Sequence, residues 1–388
     1  MARAKTVANK KINRRRGDSF FDFSLLFIVI FLIGFGLVML YSTSSYEANL
    51  DFGDSAYYLK KQILATVIGM GFMIFVALVP YHFWERFAFL GYALSAFLIL
   101  MIIPFGRVAN GAKRWLNIGG FSLQPAEVAK LCMILFLSSM VCKMGRKIRT
   151  PKGFLAVMLW PLPICGMVWK ITSNASSAII IFGIAFLMLF VASPNYKEFI
   201  LSGIAGVGAA LLIVFIISQA AAEGLDYRGA RILAWLDPEA YASSTGFQTL
   251  QALYAIGSGG IWGKGLGQSM QKLGFLPEAQ NDMIFSIICE ELGLFGAVAV
   301  ILMFVILIWR FMVIANNAPD LFGALLVVGV LGHIAIQVIL NIAVVTNTIP
   351  NTGISLPFIS YGGTSVVFLL IEIGLVLSVA RGIKLKDL

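Results

Sequence analysis

Apolar runs of about twenty residues, separated by short polar stretches, recur along almost the whole of this chain. A helix needs about 20 such residues to cross the ~30 Å hydrocarbon core of a bilayer. Ten runs approach or exceed that length: 23–40, 60–80, 87–105, 124–142, 153–169, 177–192, 199–218, 283–314, 322–346 and 357–380. Of 388 residues, 59% are hydrophobic and 12% charged, about half the charged share of a soluble domain. The mean hydropathy is +0.90. No water-soluble fold of this size hides so much apolar surface, and in lipid only helices and closed barrels satisfy their backbone. The fold class expected is an all-α polytopic membrane protein with ten transmembrane helices. The first run holds 18 uncharged residues and leads into Tyr41-Ser-Thr-Ser-Ser. A signal-peptide core is shorter and ends at a small-residue cleavage site, so 23–40 reads as a retained span.

Basic residues orient the spans. With the N-terminus inside, 18 of the 29 Lys and Arg fall on inner segments, seven of them within residues 1–16 and five between Lys143 and Lys152. Ten fall in outer segments or at their edges, four of these in one long loop where the positive-inside rule is weak. Both termini are therefore expected to be cytoplasmic, and the net charge of +10 reports membrane sidedness rather than nucleic-acid binding. The organisation expected is a basic tail, 1–22, a transmembrane domain, 23–381, and a short tail, 382–388. One connection is long, an outer loop at about 219–281 between the seventh and eighth spans. Loops of that length tend to be functional.

Cys132, Cys142, Cys165 and Cys289 sit in or at the ends of apolar runs without CxxC spacing, and read as buried thiols. His82 and His333 are the only imidazoles, too few for a histidine metal cluster.

An ionisable group at membrane depth costs about 2.5–3.5 kcal/mol, so each one needs a reason. Glu127 and Lys130, in Gln124-Pro-Ala-Glu-Val-Ala-Lys, share one helix face at i,i+3. They read either as a structural ion pair between helices or as part of a polar cavity for a charged substrate. Asp282 lies at the mouth of the eighth span, where helix capping alone would explain an acid. Ser286, Cys289 and Glu290 follow on or near its face, as an acidic stripe running inward. Glu290 reads as a buried structural acid, with Lys130 as its expected partner. Glu372 has no basic neighbour in sequence and no assigned role.

In the outer loop, Arg228 and Arg231 stand i,i+3, a spacing at which two guanidiniums grip one phosphate; surface solvation is the alternative. The segment 246–267 is rich in glycine and includes Gly263-Lys-Gly-Leu-Gly. It is neither a Walker A loop nor a dinucleotide fingerprint, and says only that the backbone bends sharply near the membrane surface. Between the last two spans, Pro350, Pro357, Gly362 and Gly363 break the helix at membrane depth. Such backbone is tolerated where it lines a cavity or is buried in protein, so a re-entrant cavity wall is expected.

Five stretches, in order, carry a family resemblance. They are Gly111-Ala-Lys-Arg-Trp-Leu-Asn-Ile-Gly-Gly with Gln124-Pro-Ala-Glu; Tyr227-Arg with Asp237-Pro; Gly263-Lys-Gly-Leu-Gly; Leu276-Pro-Glu-Ala with Asp282 and Glu290-Glu-Leu-Gly; and Leu356-Pro-Phe-Ile-Ser-Tyr-Gly-Gly-Thr-Ser. Across its whole length the chain resembles the SEDS family of bacterial membrane proteins, which includes FtsW, RodA and SpoVE. The resemblance implies a peptidoglycan glycosyltransferase that polymerises lipid II at the outer face of the plasma membrane. It also implies a class B penicillin-binding protein as partner, among other division proteins. The family's essential acid falls on Asp282, and the Glu and Lys the family needs fall on Glu127 and Lys130. One departure is informative: Gln280, Asn281 and Met283 replace the family's usual His-Thr before the acid and Phe after it. The basic tail and Asn347-Thr-Ile-Pro-Asn-Thr-Gly look more like FtsW or SpoVE than RodA.

That chemistry needs a base for the attacking hydroxyl and positive charge for the departing diphosphate. Asp282 is the expected base. Lys113, Arg114, Lys130, Arg228 and Arg231 are the expected diphosphate contacts, and Gln248, Lys264, Ser360 and Tyr361 complete the expected substrate-binding set. No cofactor is certain; a divalent ion, Mg or Mn, could share the diphosphate charge, and no protein metal site is expected. The competing expectations are a lipid II flippase, using the same charges along a translocation path, an elongation-type polymerase, and a non-catalytic scaffold.

Overall fold

The computed structural model describes residues 22–383, apart from 110–111, 119–120, 194–195 and 220–226, and some side chains elsewhere. The basic tail expected over 1–22 lies outside the described residues except for Asp22, and the C-terminal tail is described only to Ile383. Among the described residues, nine helices or helix pairs are long and apolar enough to cross a membrane. The first is α1 (Phe23–Phe52), opened by Asp22, whose Oδ1 accepts from Leu25 N at 2.9 Å, and closed by Gly53 in the left-handed region. It runs twelve residues beyond the expected 23–40, because Tyr41–Phe52 keeps helical character without being apolar throughout. Next come α2 (Tyr57–Leu78), the short α3 (Tyr81–Glu85), and the pair α4 (Ala88–Leu100) and α5 (Ile102–Phe105).

A feature absent from the all-α expectation follows. Three short strands, β1 (Gly106–Ala109), β2 (Ala112–Ile118) and β3 (Phe121–Leu123), form an antiparallel sheet in sequence order. Arg107 pairs with Trp115, and Leu116 with Leu123, with a register shift between Arg107 and Val108. Asn110-Gly111, between the first two strands, is a strong hairpin signal in the sequence.

The chain then builds α6 (Pro125–Met144), α7 (Pro151–Met158), α8 (Pro161–Ile171), α9 (Ala175–Ala192) and α10 (Tyr196–Gln219). Pro125 occupies the first turn of α6, where its missing N–H leaves nothing unpaired. The outer loop is not structureless, for it contains α11 (Tyr227–Leu236) and α12 (Phe247–Gly259). Three helices close the chain: α13 (Ile284–Asn316), α14 (Leu321–Val345) and α15 (Gly363–Ala380). The last begins six residues later than expected, because residues 351–362 run without helix past Pro357 and Gly362.

In the membrane-length windows of α6 and α14, 72% of residues are buried, and in α15 67%, against 22% for the α4–α5 pair. The first three therefore form the centre, with α1, α2, α4 and α13 turning apolar side chains outward to lipid. Close approach depends on small residues, as is usual where lipid removes the hydrophobic drive between helices. A Cβ on Gly374 of α15 would lie 2.6 Å from the Met73 carbonyl of α2. Helices α1 and α13 run antiparallel. Asp22 pairs with Arg310 at 2.6 Å at one end, and Ser42 Oγ donates to Glu291 at 2.8 Å at the other.

Candidate active site

Asp282 lies in the turn that precedes α13. Met283 takes the cap position without a side-chain hydrogen bond, so Asp282 does not cap the helix. The residue is 9% exposed, and Oδ1 is buried without a hydrogen-bond partner among the described residues. The main chain is held instead. Asn341, fully buried near the end of α14, donates Nδ2 to Asp282 O at 2.8 Å and to Ile354 O at 2.7 Å. Gly353, with φ of 68°, closes over the carboxyl so that a Cβ there would stand 3.6 Å from Asp282 Oδ2. Burial, and then the negative charge of Glu278, push the Asp282 carboxyl up to about 7, while Arg231 pulls it back. A carboxyl titrating there is matched to proton transfer near neutrality.

The non-helical segment 346–362 is tied to both helices of the outer loop. Arg231 Nη1 donates to Asn351 O at 3.1 Å, and Trp235 Nε1 to Asn347 O at 3.0 Å. Asn351 Nδ2 donates to Gln248 Oε1 at 2.8 Å, and Gln248 Nε2 to Pro277 O at 3.1 Å. Asp282, Arg231 and Gln248 are thus gathered around Asn351 and Gly353. Tyr361 N donates to Gln280 O at 2.9 Å, and its ring packs edge-on against Tyr58 at 5.0 Å. Ser360 turns inward, its Oγ accepting from Leu356 N at 2.7 Å.

The other expected contacts lie elsewhere. Lys113 is exposed on β2, and Arg114 Nη2 donates to Ser173 O at 3.2 Å. The side chain of Arg228 is outside the described residues. Lys130 and Glu127 form a buried ion pair at 2.8 Å. Lys130 Nζ also reaches Gln337 Oε1 at 3.5 Å, and Gln337 Nε2 donates to Ser355 O at 2.9 Å. Through Gln337 and Asn341, one turn apart on α14, the pair and Asp282 are joined to the same non-helical segment.

The expected Glu290–Lys130 contact is overturned. Glu290 pairs with Lys264 at 2.7 Å and accepts from Ser269 Oγ at 2.5 Å. Its neighbour Glu291 pairs with Lys272 at 2.7 Å. Both glutamates hold the glycine-rich loop, so no acidic stripe runs inward from Asp282. Glu372 finds a partner remote in sequence, His333 Nδ1 at 2.8 Å, both buried. Sequence reasoning also passed over Asn341, Gln337 and Asn351. The first two carried a signal, amides at i,i+4 in an otherwise apolar span. Among the described residues no group of three or more His, Cys, Asp or Glu side chains is arranged to hold a metal ion.

Stage V sporulation protein E of Bacillus subtilis (strain 168) is 38% identical over 369 residues, 93% of this chain and 97% of that protein. A probable peptidoglycan glycosyltransferase FtsW of Trichlorobacter lovleyi is 38% identical over 95% of each chain. Two solved structures are similar at 25% identity, each over 93% of this chain. One is described as "Structural coordination of polymerization and crosslinking by a peptidoglycan synthase complex" (TM-score 0.75, 98% of that chain). The other is the rod shape determining protein RodA of Thermus thermophilus (TM-score 0.65, 97% of that chain). The FtsW/RodA/SpoVE family model, described as "Cell cycle protein", matches residues 23–385, and the chain belongs to that family.

Proposed function

We propose that this protein is a peptidoglycan glycosyltransferase that polymerises lipid II, with Asp282 as general base, in septal cell-wall synthesis. The observation that carries the reading is the Asp282 carboxyl: buried, unpartnered at Oδ1, and raised to about 7. A carboxyl kept only for structure would be paired, since an unsatisfied buried polar group costs ~1–3 kcal/mol. In the reaction, Asp282 takes the proton from the 4-hydroxyl of the acceptor's N-acetylglucosamine. That oxygen bonds to the anomeric carbon of the donor as the bond to the lipid diphosphate breaks. The diphosphate leaves without needing a protonating acid, so one carboxylate suffices, unlike the two of glycosidases. Arg231, beside Asp282, is placed to meet the departing charge, and Arg228 shares its helix one turn earlier. Lys130, paired with Glu127, reaches the segment that frames Asp282 through Gln337, and both stay in the proposed substrate-binding set. Lys264 is taken up by Glu290.

The helices support a sidedness for this reading. Asp282 adjoins the end of α13 opposite Asp22, the residue with which the basic tail ends in sequence. If that tail is cytoplasmic, Asp282 faces outward. α9 ends near the tail side, since its start contacts the non-helical segment through Ser176 Oγ and Thr352 O. The chain must return before α13, and α10, with 24 residues and a length of about 36 Å, is the element able to do it. On this reading α10 supplies the tenth crossing, and both termini are cytoplasmic. A class B penicillin-binding protein is the partner this reading implies, supported by the resemblance to a synthase complex.

The test supplies purified protein, alone and with that partner, with labelled lipid II, and resolves the product by glycan length. Wild-type polymerisation by Asp282→Asn would overturn the assignment of the base. Running the assay with and without EDTA, then restoring Mg or Mn, decides the metal requirement. A flippase reading draws on one observation, the His333–Glu372 pair deep in the bundle. Lipid II flipping in liposomes, lost in Glu372→Gln but kept in Asp282→Asn, would favour it.

A further inference from the structure

The glycine-rich loop has its polarity inverted. Ile261, Trp262, Leu266, Met270 and Phe275 are all exposed, Trp262 to 80%. Lys272 is buried against fully buried Glu291, and Lys264, with a third of its side chain exposed, reaches back to fully buried Glu290, each at 2.7 Å. Ser269 is buried as well. A loop in water shows the reverse, with lysines outside and large apolar side chains under cover.

Part of its backbone is satisfied by protein, which suits contact with lipid. Lys264 N and Gly265 N each donate at 2.9 Å, to the Glu290 and Glu291 carbonyls respectively. Leu294 N donates to Gly260 O at 3.0 Å. These bonds are open to the loop because α13 breaks at Gly293, whose φ of 66° and ψ of −164° are non-helical. The loop comes so close that a Cβ on Gly263 would lie 2.2 Å from the Glu291 carbonyl oxygen.

The break also fixes depth. From Leu294 to Asn316 the helix is about 34 Å long at ~1.5 Å per residue, the thickness of the hydrocarbon core. Gly293 therefore marks the membrane boundary on the Asp282 side. Trp262 packs against Phe295 two residues inside it, the rings tilted by 38° with centroids 4.8 Å apart. Tryptophan is enriched at this level of a bilayer. The contact between Trp262 and Phe295 joins the loop to Leu294, Phe295 and Leu302, which are exposed on the membrane-spanning part of α13.

We propose that residues 260–275 lie face-down in the membrane interface, their apolar side chains among the lipid acyl chains, with Glu290 and Glu291 as the anchors that hold the loop there. The surface is thus a lipid-docking surface, and the stretch that leads to Asp282 starts in the bilayer rather than in water. The placement is independent of the reaction assigned above.

The test uses the full-length protein in lipid vesicles. Trp262→Cys and Leu266→Cys, in a chain freed of its native cysteines, are labelled with bimane and exposed to lipids carrying a shallow doxyl quencher. Ser243→Cys, at an exposed position between α11 and α12, is the reference. Quenching several-fold stronger at 262 and 266 than at 243 is expected, with reaction at least tenfold slower toward a membrane-impermeant maleimide. Labelling as fast as at 243 would place the loop in water and overturn the proposal. Protection from the maleimide without lipid quenching would mean that a second protein surface covers the loop, and would overturn it equally. If the cysteine-free chain does not fold, the tryptophan signal lost between the native chain and Trp262→Phe is measured with brominated lipids. It is expected to be quenched, and an unquenched difference counts against the proposal.

Discussion

A single amide group holds both sides of the site: Asn341 Nδ2 donates to the carbonyl of Asp282 at 2.8 Å and to that of Ile354 at 2.7 Å. The first carbonyl belongs to the turn that carries the carboxyl, the second to the non-helical segment that covers it. Removing the donor leaves two buried acceptors unpaired, each costing ~1–3 kcal/mol, and frees the turn to shift. A displacement of about 1 Å costs on the order of 10²-fold in rate. Asn341→Leu is therefore expected to lower kcat by about that factor with KM little changed. Asn341→Asp, which when ionised has no donor, is expected to behave alike. Steady-state kinetics with lipid II separates this from a loss of binding, which would appear in KM.

The Glu127–Lys130 pair is buried, and a buried pair is most damaging when half of it is removed. Lys130→Met or Glu127→Gln alone is expected to lower stability by ~3–5 kcal/mol. The double variant is expected to recover much of that loss, because no unpaired charge remains. A double-mutant cycle on thermal unfolding in detergent measures the coupling. Additive losses would mean that the two charges do not serve each other.

Most of the architecture was legible because spanning a bilayer leaves few options. Run length and charge scarcity located the helices. What escaped was set by contacts remote in sequence. Glu290 reads as a partner for Lys130 when only apolar spans are considered, yet it turns to Lys264, because the break at Gly293 opens backbone carbonyls to the loop. Glu372 looked orphaned because His333 is 39 residues away on another helix. The β-sheet was missed although Asn110-Gly111 announced a hairpin, since strands this short have too little alternation to register against long apolar runs. Asp282 stood out as an acid at a span mouth, but its unpaired oxygen and the Asn341 clamp needed coordinates.

The conformation at Gly293 admits almost no other residue. Its φ of 66° with ψ of −164° is strained for any L side chain, and a Cβ would meet both Gly263 N and Ile261 O at 2.4 Å. Gly293→Ala is expected to expel the loop from α13 and to reduce folded yield, with rapid proteolysis between residues 260 and 275. Gly34, in α1 and open on all sides, is the control: Gly34→Ala is expected to leave yield and protease resistance unchanged. Limited proteolysis followed by mass spectrometry reads both.

The pH dependence has a definite sign. Asp282 must be ionised to accept a proton, so polymerisation is expected to rise through an acidic limb centred near pH 7 and then level off. The charge of Glu278 makes ionisation harder and that of Arg231 makes it easier, so their removal should move the limb in opposite directions. Glu278→Gln is expected to shift it to lower pH and Arg231→Gln to higher pH, whatever each does to the plateau. Stability follows the same proton. Folding raises this carboxyl from 3.8 to about 7, so its contribution is full below pH ~4 and is lost as pH rises toward 7. Asp282→Asn never ionises. It is therefore expected to be more stable than the native chain at pH 8, by ~1–4 kcal/mol, and equal to it near pH 4, while its rate falls by about 10²–10⁴-fold. Kinetic profiles of the three variants and unfolding midpoints at the two pH values check the set. A limb that neither Glu278→Gln nor Arg231→Gln moves would mean that another group titrates there.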